Sequence, residues 1–470
     1  MASHFANDLP PHLLMWQRVR EYAVPPSMIE TATARRAAGD WAGACAAARV
    51  DTDLDLRAVR DRHGTELTTR LRADLRRLAP DLLRWHMPRI APDGRLRPGL
   101  TLSLARYGGH GDAPPVQLVV RTPPARAAAG QRMSLALWEG PGDGAFGHHP
   151  HPHPDRRFRL DLHRHLWDGA RSGELARRCG PPDQDSPWAH ATWAAEAELL
   201  LRAEGRPRGA FTVRLGARGR AVLELVAPDD AHVPAFRPLS YGLPAQEVAA
   251  LPVLPEAAAR LLPDLELLRS GLITAGRLHP LVAGALRAVG PLARDPARVP
   301  GPAPESHDPH RVACRGETHR ILLRDGVLTA VDHHPAELRR EELLVALGGP
   351  ALPCLRAIDA VHRDPEALPA VRERLGHGDI AGALAVVEGL LGPAATLRDG
   401  PLRRELESAA ARRVDQGVFR AGLVAVHPAA RRVPGTGPTE PDHRPRLDRH
   451  TPRALRRKRG SRPRPRTGLL

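Results

Sequence analysis

Residues 158–166 read Phe158-Arg159-Leu160-Asp161-Leu162-His163-Arg164-His165-Leu166. Here the side-chain types and their spacing come nearest to chemistry. On a β-strand alternate residues share a face, so Arg159, Asp161, His163 and His165 line one side, opposite Phe158, Leu160 and Leu162. Two histidines at i and i+2 beside a carboxylate supply metal ligands, or an acid–base pair oriented by the carboxylate. Asp161, His163 and His165 are therefore the candidate catalytic residues, and His163 and His165 the candidate ligands of a divalent metal. One strand does not complete a metal site. The run just before it, His148-His149-Pro150-His151-Pro152-His153-Pro154, is a nearby source of further ligands, on a loop whose prolines deny it regular hydrogen bonding. The same pattern also describes an antiparallel strand with one wet and one dry face.

Other groupings are less complete. Asp51-Thr52-Asp53-Leu54-Asp55 opens like a calcium loop but has Leu56 where such a loop needs glycine and Arg62 where it needs glutamate. If extended, it lines three carboxylates on one face. His333-His334-Pro335 offers adjacent imidazoles before a helix, suited to a metal, an anion or a cap. Cys45, Cys179, Cys314 and Cys354 are scattered with no Cys-x-x-Cys, so spacing gives neither a zinc knuckle nor a redox motif. Reduced thiols in a cytoplasm fit best. Lys458 is the only lysine. P-loop, protein-kinase, pyridoxal and Schiff-base aldolase chemistries all need a lysine in a folded site. No Gly-x-Ser-x-Gly elbow, His-Glu-x-x-His or dinucleotide fingerprint is present either.

The elements around these residues are organised by a repeated spelling. Gly39-Asp40-Trp41-Ala42-Gly43-Ala44 returns as Gly378-Asp379-Ile380-Ala381-Gly382-Ala383. A glycine in the left-handed conformation closes one helix, and the aspartate after it caps the next. Each copy predicts the tip of a helical hairpin. Ser27 and Glu30 have the spacing of a capping box for the first arm. The second arms bury Trp41, Ala44, Cys45 and Ala48 in one copy, and Ile380, Leu384, Val387 and Leu391 in the other. Hairpins of this spelling resemble single units of tetratricopeptide-type helical repeats, and that resemblance implies a protein-binding surface. No period of roughly 34 residues links the copies into a stacked array.

Elsewhere Leu67, Leu71, Leu75 and Leu78 form a helical stripe flanked by Arg70, Arg72, Arg76 and Arg77, with Asp74 placed to pair with Arg70 or Arg77. From residue 99 the period changes to alternation. Leu100, Leu102 and Leu104, Val116 to Val120, and Met133, Leu135 and Leu137 read as strands. Phe211, Val213 and Leu215 pair with Leu223 and Leu225 in a hairpin. Segments 311–314, 318–323 and 327–331 are strands around a tight turn at Asp325-Gly326.

The fold class expected is α+β, with antiparallel strand pairs in the middle and helical hairpins toward both ends. Boundaries fall at 1–98, mainly helical; 99–289, α+β; 290–309, a linker; 310–430, a β-hairpin plus helices; and 431–470, a disordered Arg/Pro-rich tail. The composition is that of a high-GC bacterial genome. Of the net charge of +16, the tail holds +10, from 13 Lys or Arg against 3 Asp or Glu. Nucleic acid is thus expected only as a non-specific partner of 431–470. No basic leader or long apolar run is present, so the expectation is a cytoplasmic protein without membrane contact. Two functions fit: an intracellular interaction or scaffold protein that needs no cofactor, or a metal-dependent or acid–base enzyme centred on Asp161, His163 and His165.

Overall fold

The computed structural model describes residues 10–108, 115–140, 149, 151, 153–179, 186–206, 208–216, 219–226, 233–288 and 311–422, and the backbone of 466–467. They form two compact units, one of residues 1–193 with 255–414, the other of 194–254 with 415–470. The expected linker 290–309 lies outside the described residues, as does the tail 431–470 apart from Arg466 and Thr467. The fold class is α+β. No described helix is long and apolar enough to cross a membrane.

In the first unit the helical hairpin is built as its spelling requires. Helix α1 (Pro26–Ala37) is closed by Gly39 at φ +77°, and α2 (Trp41–Ala47) is opened by Asp40, whose carboxylate accepts the Gly43 N–H at 2.8 Å. The start of α1 differs from expectation. Pro25 is its N-cap and Pro26 its first residue, with no side-chain cap bond. Proline suits a first turn whose amides are unpaired anyway, so Ser27 lies already inside the helix.

Strand β1 (Val50–Asp53) leads to α3 (Leu56–Arg77). Asp51 is ion-paired with Arg132, and Asp55 caps α3 by accepting the Arg57 and Ala58 amides at 2.9 and 3.1 Å. Two carboxylates of the acidic run are thus engaged in structure. Gly64, at φ +80°, kinks α3. Beyond it Leu71 and Leu75 are buried, while Arg72 and Arg76 face solvent. Helix α4 (Pro80–His86) adds Leu82, Leu83 and Trp85 to the same core.

Strands β2 (Thr101–Tyr107), β3 (Val116–Arg121) and β4 (Met133–Trp138) join β1 in a sheet of order β1-β4-β3-β2, antiparallel except for β1 beside β4. The alternation in β2 suggested a half-buried strand, yet Thr101 and Ser103 are as buried as Leu102 and Leu104. Their burial is possible because the stretch after residue 150 covers this edge. The Asp155 and Asp161 amides donate to the Thr101 and Ser103 carbonyls, and the Thr101 hydroxyl donates to the His151 carbonyl.

A second hydrophobic cluster of this unit lies in residues 312–409. Strands β5 (Arg311–Cys314), β6 (Glu317–Arg324) and β7 (Val327–Ala330) form an antiparallel meander. Both turns place two successive residues at positive φ: Arg315 and Gly316, then Asp325 and Gly326. This is the backbone of the tight hairpin turn that suits strand twist. Helices α5 (Pro335–Ala346), α6 (Pro353–Arg363), α7 (Leu368–Gly376), α8 (Ile380–Leu391) and α9 (Pro401–Arg420) follow. Helices α7 and α8 are the second hairpin, with Gly378 at φ +80° and the Asp379 carboxylate accepting the Gly382 N–H at 3.3 Å. Ala383, Val387 and Leu391 carry the buried stripe of α8, whereas Leu384 is exposed. The small Ala383 therefore faces the core in place of the leucine beside it. Helix α5 buries none of its residues.

The second unit contains a hairpin of Gly209–Arg214 and Gly219–Val226, with Phe211 opposite Leu223. Ala235–Pro238 extends it on the far side of Gly219–Val226. The backbone of Arg466–Thr467 runs parallel to Gly219 and Arg220.

Candidate metal centre

The Asp161, His163 and His165 stretch does not form the expected strand. Residues 158–166 are turns and a 3-10 turn (Arg164–Leu166), with a lone bridge from Arg159 to Ser103. The His163 and Leu162 amides donate three residues back, to the Leu160 and Arg159 carbonyls, which coils the backbone and breaks the two-residue period. Polar residues consequently turn inward: Arg159, His163 and His165 are buried along with Phe158 and Leu160. Asp161 is held by Arg159 at 2.7 Å and by Arg106 at 3.6 Å. Nδ1 of His163 lies 2.9 Å from the Arg159 carbonyl, and Nδ1 of His165 lies 3.4 Å from the Arg178 guanidinium. The two imidazoles meet edge to face at 5.8 Å. Of the histidine-rich run, His148, Pro150 and Pro152 lie outside the described residues. His149 places its ring nitrogens 2.9 and 3.0 Å from the His151 and Thr122 carbonyls.

Among the described residues, the group of three ligands that converges is elsewhere. Cys314, His333 and Cys354 each offer one ligand atom, and the three atoms lie within 4.8 Å of one another, away from solvent. Cys314 ends β5, just before the turn at Arg315 and Gly316. His333 follows β7, and its backbone is fixed by the residue before it. Asp332 accepts the Arg320 amide at 2.8 Å and its guanidinium at 2.9 Å, which lowers the Asp332 carboxyl pKa to about 2. Cys354 stands in the first turn of α6, a helix opened by Leu352 and Pro353. The neighbouring His334 is a cap: its ring accepts the Ala336 N–H at 3.2 Å. The two adjacent histidines thus divide the two roles their position suggested.

A fourth side chain, His319, stands beside His333. In the β5–β6 register Val312 faces His319 and Cys314 faces Glu317, so Cys314 and His319 project from the same sheet face. The His319 and His333 rings stack, with centroids 4.0 Å apart and planes 14° from parallel. His319 Nδ1 and His333 Nε2 are buried and have no hydrogen-bond partner among the described residues. Burial is the largest cause of the protonation preferences. It pushes the Cys354 thiol up to about 11, with the Cys314 hydrogen bond adding to the effect. It lowers the His333 pKa, in the same direction as the neighbouring His319. The pair is then a neutral thiol and a neutral imidazole, and a divalent cation reverses this by driving off thiol protons. The first-turn amides of α6 add a favourable potential for the Cys354 thiolate.

Two sulfurs and one or two imidazoles are the donor set of tetrahedral zinc. Ideal zinc–sulfur and zinc–nitrogen lengths put ligand atoms roughly 3.3–3.8 Å apart. Three atoms within 4.8 Å need to close by about an ångström, which side-chain rotation supplies. Sequence reasoning missed Cys314, His319 and Cys354 because Cys314, His333 and Cys354 are each separated by about twenty residues of strand and helix. The available signal was strand parity: a cysteine and a histidine on one face of a hairpin, with His333 just past the next strand.

No protein-family model matches the chain, and no curated protein or solved structure does either.

Proposed function

We propose that the chain is a metal-binding interaction protein in which one zinc ion, held by Cys314, His333 and Cys354 with His319 as fourth ligand, ties the β5–β7 meander to α6. The observation that carries this reading is the convergence of two thiols and an imidazole, shielded from solvent. A buried site with protein side chains in all four positions is structural and not catalytic, because no position is left for water or substrate. The scaffold half of the reading rests on two supports. The paired helical hairpins offer protein-binding surface, and Leu343, Leu344, Val345 and Leu347 of α5 and its C-cap are exposed. Free thiols in ligand position suit a reducing compartment. The partner is accordingly an intracellular protein.

The enzyme alternative has less behind it. Asp161 is engaged by two arginines, and the imidazoles of His163 and His165 are buried.

Chelation tests the reading. Dialysis of the full chain against a strong zinc chelator should lower its thermal midpoint, and added zinc should restore it. Cys314→Ser protein should sit at the lower midpoint from the start and ignore both treatments. A wild-type midpoint indifferent to chelator and to zinc sinks the proposal.

A further inference from the structure

The first unit treats its buried arginines in two ways. Arg20 forms a two-point ion pair with Asp264, both bonds at 2.8 Å, and the half-buried Arg49 donates to Asp379 at 3.0 Å. Arg84 and Arg89 have no such partner. Arg84 is fully buried on α4 and donates from Nε to the Ala23 carbonyl at 3.0 Å. Its Nη2 is 3.5 Å from the His377 carbonyl. Arg89 donates to the Arg84 and Gly94 carbonyls at 2.6 and 3.4 Å. Neither guanidinium meets a carboxylate among the described residues, and Arg84 Nη1 and Arg89 Nε are buried without a hydrogen-bond partner. A buried cation left uncompensated costs several kcal/mol, so two side by side need an explanation.

The same place holds His377, at the end of α7. It is 1% exposed, and neither ring nitrogen has a hydrogen-bond partner among the described residues. Its Cε1 lies 3.4 Å from where a side chain on Gly94 would begin, which sets the ring beside the carbonyl that Arg89 holds. Arg49 donates to its carbonyl at 2.9 Å, the Tyr22 ring stacks on it at 6.3 Å, and Glu373 Oε2 stands 3.8 Å from its Nε2. Arg95 approaches Gly376, and Arg374 pairs with Asp379 at 3.4 Å. Both are partly exposed and form the solvent side of the cluster. Five arginines and a histidine thus surround a region in which the acidic groups among the described residues are Asp379, already shared by Arg49 and Arg374, the half-exposed Glu373, and Asp93, 3.9 Å from Arg95 on the solvent side.

We infer that Arg84, Arg89 and His377 form a binding site for a small tetrahedral dianion, a phosphate group presented either as inorganic phosphate or as a phosphomonoester. Guanidinium donors match phosphate oxygens in geometry and charge. The protonated state of His377 adds a donor once the anion is present. Without one, burial and then Arg89, Arg84, Arg95 and Arg49 hold its pKa down at about 3. The depth of the site selects a small ligand.

The test uses the full chain at fixed ionic strength, with inorganic phosphate, a nucleoside monophosphate and chloride as separate titrants. Phosphate should raise the thermal midpoint saturably while chloride does not. A nucleoside monophosphate that matches phosphate assigns the phosphomonoester source, and one without effect assigns the free ion. Arg84→Gln and Arg89→Gln should each weaken phosphate at least tenfold. Because the tail arginines also attract phosphate, and because either variant could fail to fold, His377 provides an independent readout. Its ring proton resonance, assigned by its loss in His377→Gln, should shift on phosphate addition, with its pKa moving upward from about 3. A midpoint shifted equally by chloride, a phosphate effect unchanged in folded Arg84→Gln, or a His377 resonance indifferent to saturating phosphate each overturns the site.

Discussion

Asp379 serves three partners at once: it caps α8 through the Gly382 amide, pairs with Arg49 at 3.0 Å and with Arg374 at 3.4 Å. Its counterpart Asp40 caps α2 and, among the described residues, pairs with Arg35 at an exposed surface. Identical spelling therefore does not mean identical energy. Asp40→Ala should cost what a lost cap costs, about 1 kcal/mol. Asp379→Ala should cost about 3–5 kcal/mol, since it also strands the half-buried Arg49 and Arg374. Urea denaturation of the two variants measures the difference, and equal losses would contradict the assigned partners. His377 gives a second residue-scale expectation. Unfolded, its imidazole titrates near the ordinary pKa of ~6.5; folded, it is held at about 3. The unfolded chain therefore takes up the proton first as pH falls. Stability that is fully present above pH ~6.5 is lost toward pH ~3, by up to ~1.4 kcal/mol per pH unit for this group. His377→Gln should flatten that part of the stability curve, and an unchanged slope would show that the ring is not held neutral.

Helix boundaries were the most legible elements, because glycine and aspartate act locally. Gly39 and Gly378 both take the left-handed conformation that their spelling implied. They should still differ in tolerance. A side chain on Gly39 meets nothing within 4 Å, whereas one on Gly378 begins 2.9 Å from the Gly130 carbonyl oxygen. Gly39→Ala should cost about 1 kcal/mol from backbone conformation alone. Gly378→Ala should cost more, because the backbone at Gly130 must also move, and thermal denaturation of the pair tests the order. The strands on either side of Asp325 and Gly326 were legible for a similar reason: that turn carries residue types that tolerate positive φ. Residues 158–166 were misread because alternation is a pattern of burial, and here coiling along the edge of β2 buries polar and apolar residues together. The proposed metal ligands were illegible for the opposite reason. No local rule links Cys314 to Cys354; only the packing of α6 over the β5–β7 meander does. Cys45, equally isolated in sequence, is buried with its thiol pushed up to about 12 and has no such company among the described residues.

At the scale of the whole molecule, charge and site belong to different parts of the chain. Residues 431–470 hold +10 of the net +16 and contain no aromatic residue to stack on a base. Any binding of duplex DNA by the full chain should be sequence-independent and weaken with salt at a log–log slope of about −0.9 per neutralised phosphate. It should disappear on truncation after Ala430, as a salt titration with two unrelated duplexes would show. A truncated chain that still prefers one duplex would make the folded units the readers. The central claim concerns Cys314, His333 and Cys354, and metal content tests it most directly. Full-length protein without an affinity tag, grown in metal-replete medium and desalted, should carry one equivalent of zinc by elemental analysis. Cys314→Ser and Cys354→Ser should each carry almost none, while His163→Ala with His165→Ala should retain the full equivalent. Wild-type protein without metal would contradict the account, as would zinc that survives loss of either cysteine or departs with His163 and His165.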